Sequence, residues 1–268
     1  MSIIYINPYQ FGSAYDPDAQ DYINRVIAAD VAAGDTNGLE VDVQDAINAF
    51  FVECKTYGIF NALKASCILA GARTLSGALV PLVSTMPAPT NYNFVAGDYN
   101  RKTGLNGDGV SKYLDTNNTP NNTPITGDQD NFHLAVYGSE ALQNGTGYMG
   151  GPYLAGGRHL GTAANGNLAV RLHSDVQFVT PPGSGNINLF GYSRSDSSNI
   201  SVRLKGQSVN VIKSSTTVST ANTDKVFFAI SKYLSGRLQF YSLGADLDLA
   251  LLDASVSTLM SNLTAAIP

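Results

Sequence analysis

The sequence predicts an α+β protein: a small N-terminal helical region, then an antiparallel β-sandwich of jelly-roll type, then a C-terminal helix. Three observations carry this. Apolar residues recur at helical spacing in the first third of the chain and again after residue 246. Between them lie many short runs in which apolar and polar residues alternate, as in Val202/Leu204 and Val209/Val211. Turn dipeptides separate those runs, among them Asn106-Gly107, Asp108-Gly109, Asn165-Gly166, Lys205-Gly206 and Ser235-Gly236. Pro87-Ala-Pro89 reads as the linker, giving an arm and helical anchoring region over 1–89 and the sandwich with its C-terminal helix over 90–268.

Residues 1–15 form an extended arm too apolar to stay solvated, with Ile3, Ile4, Tyr5, Ile6, Tyr9, Phe11 and Tyr15. It is expected to pack on its own domain or on a neighbouring subunit. Asp16-Pro17-Asp18 starts a helix, with an N-cap, proline at the first position and acid in the first turn. A second helix is expected over Leu39–Thr56 and a third over Phe60–Ala70. Expected strands are Lys112–Leu114, Asn131–Ser139, Leu154–Gly156, Asn167–Leu172, Asn188–Tyr192, Ile200–Lys205, Gln207–Ser214, Lys225–Tyr233 and Arg237–Leu243. Rim loops are expected over 115–130, 181–185 and 196–199. In the last element Leu252, Val256, Leu259, Leu263 and Ala266 recur at 4-3-4-3 spacing, with Asp246 or Asp248 as cap. That stripe fits docking on the chain's own sandwich or a seam against identical chains. Barely two heptads is short for an independent coiled coil, which favours docking.

The chain has 268 residues, enough to bury a real core, with 14% charged residues and a net charge of −5. No Lys/Arg cluster provides a nucleic-acid footprint. No stretch approaches the length of an apolar membrane span, and the N-terminus lacks the basic start of a signal peptide, so synthesis in a cytoplasm and a soluble product are expected. Cys54 and Cys67 read as core thiols or as a disulfide between neighbouring helices.

His133, His159 and His173 stand apart and read as structural or surface residues, and no serine or cysteine sits in a nucleophile-elbow context. The runs at Asp115 and at Asp128-Gln-Asp130 carry oxygen ligands suited to Ca²⁺, but neither matches an EF-hand loop, and acidic turn caps are the simpler reading. No cofactor or metal is called for. The segment from Gly145 to Arg158 presents Tyr148, Tyr153 and Arg158 on a glycine-rich backbone. Aromatic faces stack on sugars and an arginine fork holds hydroxyls or carboxylates, so these three are the candidate glycan or receptor contacts. The alternative is a rim loop whose tyrosines pack locally.

The turn-rich run from Asn93 to Asp115, the segment Lys64 to Leu82, and the ending Phe240-Tyr-Ser-Leu-Gly-Ala-Asp-Leu-Asp-Leu-Ala-Leu-Leu-Asp-Ala254 resemble a module of tailed-bacteriophage virion proteins, including tail fibres. The resemblance implies a concanavalin A-like C-terminal sandwich. It further implies a non-enzymatic structural role at the virion surface, in a tail or neck fibre or as capsid decoration, with host-surface glycan attachment. The implied partners are other virion proteins and sister subunits, a homo-trimer being favoured. The alternative class is a carbohydrate-active enzyme or lectin, because that architecture also hosts glucanases. A glycosidase needs two facing carboxylates. Glu40 and Glu53 lie in the helical region, and Glu140 has no acidic partner at strand spacing.

Overall fold

The computed structural model describes residues 15–118, 129–151, 157–181, 185–216 and 223–268. The arm before residue 15, Asp128, Tyr153, the expected strand Leu154–Gly156 and parts of the expected rim loops lie outside the described residues.

Helix α1 (Pro17–Ala32) begins as the sequence dictates, with the Asp16 carboxylate accepting from the backbone N–H groups of Asp18 and Ala19. Its apolar face, Tyr22, Ile23 and Val26, meets α2 (Val41–Thr56) through a Tyr22–Phe51 ring contact of 5.7 Å. At its end the buried Asp30 carboxylate accepts from the backbone N–H groups of Arg73 and Thr74 and from the Thr74 hydroxyl, pinning the single turn α3 (Leu75–Ala78). Glu40, just before α2, makes no cap. Its carboxylate takes Arg73 at 2.9 Å and Arg101 at 2.6 Å, tying the helices to the β-part.

The expected third helix is corrected by the structure. Phe60–Ala62 is a 3₁₀ turn, and Leu63–Ile68 is strand β1. This strand is buried on both sides: Leu63 and Ile68 belong to the core under the helices, while Ala65 and Cys67 belong to the core inside the sandwich. A short apolar run buried on both faces has no polar stripe, so its periodicity looks the same for helix and strand. Cys54 and Cys67 are both buried free thiols. Burial pushes each up to about 12, and the Cys67 sulfur lies 3.2 Å from the Tyr241 hydroxyl.

Two antiparallel sheets form the sandwich. The six-stranded sheet runs β1, β18 (Phe240–Gly244), β6 (Phe132–Ala141), β11 (Asn186–Arg194), β12 (Asn199–Leu204), β13 (Gln207–Ile212). The seven-stranded sheet runs β10 (Gln177–Val179), β9 (Leu168–Leu172), β8 (Arg158–Thr162), β7 (Gly147–Gly150), β14 (Lys225–Val226), β5 (Tyr113–Asp115), β2 (Thr90–Tyr92). Two small ribbons complete it: β15 (Phe228–Ala229) with β16 (Lys232–Tyr233), and β17 (Arg237–Leu238) with β4 (Gly104–Asn106) and β3 (Tyr99–Asn100). Because β1 pairs with β18 and the helices share a core with the C-terminal helix, the N-terminal segment is built into the sandwich.

Helix α4 (Leu249–Ala266) is capped by Asp248, whose carboxylate accepts from Ala250 and Leu251. Its stripe docks within its own chain, as the sequence favoured. Leu252, Val256, Leu259 and Leu263 are buried against α2 and the outer face of the six-stranded sheet, where Ala135, Leu189 and Phe240 lie. Among the described residues no helix is long and apolar enough to cross a membrane.

Polar groups are sealed in at two places. The neutral His133 ring donates from Nδ1 to the Ala245 carbonyl and accepts at Nε2 from Ser242, which in turn accepts from Ser66. All three are fully buried, so this chain cross-links β6, β18 and β1. At one end of the sandwich, buried Arg158 forks onto Asp224 and lies 3.9 Å over the Phe132 ring. Buried Arg194 is held there by the carbonyls of Leu172, Asp196 and Lys213, and His173 by that of Gln129. Removing one partner of such a pair strands a charge in a dry site. Asp224→Ala is therefore expected to cost about 3–5 kcal/mol in denaturant unfolding, and an Arg158→Met/Asp224→Leu double replacement to recover most of it.

Burial pushes all three histidines down, His133 to about 4 and His159 and His173 to about 3, against an ordinary value of 6.5. Below that value the unfolded chain binds protons that the folded chain refuses. Stability is thus complete above pH about 6.5 and falls toward pH about 4, by about 1.4 kcal/mol per pH unit for each histidine. Denaturant midpoints measured from neutral pH down to about pH 5 are expected to drop accordingly. A flat profile would mean that these rings titrate normally.

Candidate functional site

Helices α2 and α4 cover the outer side of the six-stranded sheet where Ala135, Leu189 and Phe240 lie, and the far surface of the sandwich is the outer face of the seven-stranded sheet, covered in part by the β15–β16 hairpin. Strand alternation decides what that face shows. Leu160, Leu168, Val170 and Leu172 point into the sandwich. Their neighbours point out, in two cross-strand rows: Gly147, Gly161, Ala169, Phe178, and Gly150, His159, Arg171. The first row is three minimal residues ending in an aromatic ring on the edge strand. Ala169 and Phe178 of the first row line a groove of about 540 Å³, together with Gly145, Thr162, Ala163 and Ala164.

Its walls come from opposite sides. Phe178, 56% exposed, stands with Asp175 and Val176 on the β9–β10 side. Across from them, Ile230 and Lys232 rise from the β15–β16 hairpin, which sits directly on β7 because a side chain at Gly147 would collide with Ala229. The hairpin turn is strained. Ile230 (φ 50°) and Ser231 (φ 61°) both occupy left-handed backbone, a conformation that β-branched residues avoid. The expected single strand Lys225–Tyr233 is corrected here: left-handed Phe227, Ile230 and Ser231 break it into three pieces. No Gly, Asn or Asp marks those positions, so sequence alone gave no turn signal.

His159 lines the groove and is 2% exposed, with no hydrogen-bond partner at Nε2. Desolvation, with Arg171 beside it, holds its pKa near 3, so the ring is neutral at ordinary pH. Its Nε2 is itself shut off from solvent. Asp175 is the only carboxylate on the described lining.

Two of the residues read from the sequence as glycan contacts, Tyr148 and Arg158, lie away from this groove. Tyr148 is 1% exposed, points into the sandwich against Phe190, and its hydroxyl accepts from the Gln143 N–H. Arg158 is 1% exposed and committed to Asp224. Within their segment Gly147–Gly150 is the buried strand β7 and Arg158 opens β8, where a rim loop was the alternative reading, and Tyr153 lies outside the described residues. Of that segment Gly145 reaches the groove. The groove residues escaped notice because β8 and β10 are short and carry no clean alternation. Their one signal is the small-residue cluster Gly161-Thr-Ala-Ala164 next to a histidine. Asp115, weighed as a cation ligand, accepts from the Asn117 N–H and the Thr223 hydroxyl as a turn cap does.

A larger cleft of about 850 Å³ lies beside α3, lined by Arg73, Tyr99, Arg101 and Lys102 among others. Both of its arginines are spent on Glu40 and on backbone carbonyls.

No family model and no curated protein matches the sequence. Solved structures overlap it loosely. The receptor binding domain of botulinum neurotoxin D aligns at TM-score 0.44 and 10% identity, over 74% of this chain and 52% of that one. A tailspike protein of bacteriophage CBA120 (the enzymatically active domain) aligns at 0.37 and 12%, over 63% and 29%. A mutant Trypanosoma rangeli sialidase with trans-sialidase activity aligns at 0.41 and 15%, over 81% and 39%. The chain spans about half the length of the neurotoxin domain and less of the other two. Overlaps this loose say nothing about what the groove holds.

Glycine is the residue suited to left-handed turn backbone. Ser231→Gly is therefore expected to raise stability by about 0.5–1 kcal/mol, read from the denaturant midpoint. A loss of stability would mean that the turn is not strained.

Proposed function

We propose that this chain is a non-enzymatic glycan-binding protein of a tailed-phage virion surface, and that the groove over the seven-stranded sheet holds a sugar of the host envelope. The observation that carries the binding role is the exposed Phe178 ring beside a groove lined by the small residues Gly145, Ala163, Ala164 and Ala169. Small lining residues leave room for a pyranose ring, Phe178 offers a face for its C–H groups, and Asp175 and Lys232 offer polar contacts to its hydroxyls. The virion setting is supported by the sequence resemblance. Anchoring to sister subunits and other virion proteins belongs, on this reading, to the N-terminal arm and helices.

The non-enzymatic part is supported by the carboxylates. Glycoside hydrolysis by the common routes needs two carboxyl groups, about 5–9.5 Å apart, flanking the bond. The groove lining offers Asp175, and Glu40, elsewhere, is neutralised by two arginines that hold it down at about 2.

The test is a printed array of bacterial surface oligosaccharides probed with wild type and Phe178→Ala. Because Phe178 is largely exposed, the variant should keep its fold and melting temperature while losing about tenfold in apparent affinity. Equal binding by both proteins rules out the groove, and new reducing ends released from a bound glycan would make the protein an enzyme. Immunogold labelling of purified particles tests the location, since a protein absent from the virion has no place on its surface.

A further inference from the structure

Across the hairpin from the groove, the same sheet face carries a cluster of aromatic rings. Tyr92 of the edge strand β2 pairs with Tyr113 of β5, and their rings stack at 4.4 Å and 9°. Phe228 and Tyr233 of the hairpin close on Tyr113 at 6.0 and 6.3 Å and on each other at 5.0 Å. Lys225 holds its ammonium 4.7 Å over Tyr113 and 5.1 Å over Phe228. Tyr92 is 41% exposed, and Tyr113, Phe228 and Tyr233 are half-buried, so ring surface remains open to solvent.

Cross-strand aromatic pairs stabilise sheet edges, and part of this cluster does that. That role does not require a lysine clamped between two rings, and among the described residues the Lys225 ammonium forms no salt bridge. Rings with one open face beside a fixed cationic donor match the two sides of a sugar, its apolar C–H face and its hydroxyls.

We infer that this platform is a second subsite for the same glycan chain, so that the protein reads a linear oligosaccharide across the sheet. The subsite presupposes that the groove holds a glycan. Continuity between the two comes from the hairpin. Phe228 and Tyr233, which pair across it, face the platform, while Ala229 and Lys232, the adjacent pair, sit over β7 and the groove. From β9, under the groove, to β5, under the platform, the sheet order gives four inter-strand steps of about 4.8 Å, or about 19 Å, a span of several sugar rings.

The test uses the same printed array with glycans graded from disaccharides to octasaccharides, probed with wild type, Tyr92→Ala, Tyr92→Thr and Phe178→Ala. The threonine variant keeps strand propensity if alanine weakens the edge. The expected result is that both Tyr92 variants lose about fivefold on long chains and nothing on disaccharides, while Phe178→Ala loses at every length. Tyr92 variants that match wild type on long chains would overturn the platform and leave the groove standing. Loss with Tyr92→Ala but none with Phe178→Ala would overturn the groove and with it the two-subsite chain. A wild type that binds no glycan on the array would overturn both.

Discussion

The six-stranded sheet has to be dry on both faces along β1, β18, β6 and β11, and much of the molecule follows from that. On its inner side, Leu134, Val136, Phe190 and Tyr192 fill the sandwich. On its outer side, Ala135, Leu189 and Phe240 are equally apolar, and water contact there would be costly. Helices α2 and α4 supply the cover, with Leu249 packed so close to Gly191 that a Cβ there would lie 3.0 Å from it. This is why α4 docks at home, and why β1 is drawn into the sheet next to β18 although most of its chain neighbours are helical.

The second constraint is the buried charge at one end of the sandwich. Arg158 inside the barrel of strands is held by a carboxylate and an aromatic face, and burial pushes Asp224 up while the guanidinium beside it pulls it down. Buried arginine is expensive unless its donors are met, so the strands that carry Phe132, Arg158, Leu172 and Arg194 are locked in register by these bonds as well as by their ladders. Features that suggest a ligand-gripping fork in the sequence serve here to hold the sandwich shut.

This explains what was legible in the sequence and what was not. Caps and stripes are local, so α1, α2 and α4 could be read within a few residues, and half-polar strands such as β12 and β13 announced themselves by alternation. Whether Arg158 faces a sugar or Asp224 depends on a residue 66 positions away, which no local pattern contains. Cys67 in a two-faced strand, and a hairpin turned by Ile230 and Ser231 without glycine, fail for the same reason: tertiary packing overrides local propensity. The groove is assembled from β8, β9, β10, the loops beside them and the hairpin, short pieces that contribute Gly145, Ala163, Ala164 and Ala169 among their lining residues. Small residues carry little signal in a sequence.

The strained hairpin then gains a physical meaning. A relaxed turn would take glycine at either central position, yet here a branched isoleucine is held at φ 50° on the lip of the groove. Strain of this kind persists where surrounding contacts over-determine the backbone, and the contacts are visible: Ala229 pressed on Gly147, the Ile230 N–H donating to the Gly151 carbonyl, and the Phe227 N–H to that of Tyr148. The hairpin is thereby fixed upright as a partition, one pair of side chains toward the aromatic platform and the adjacent pair toward the groove. Around it the polar groups are neutral or singly charged and unpaired with any second carboxylate. The two sides of the hairpin present the Phe178 ring on one and the stacked Tyr92 and Tyr113 rings with the Lys225 ammonium on the other.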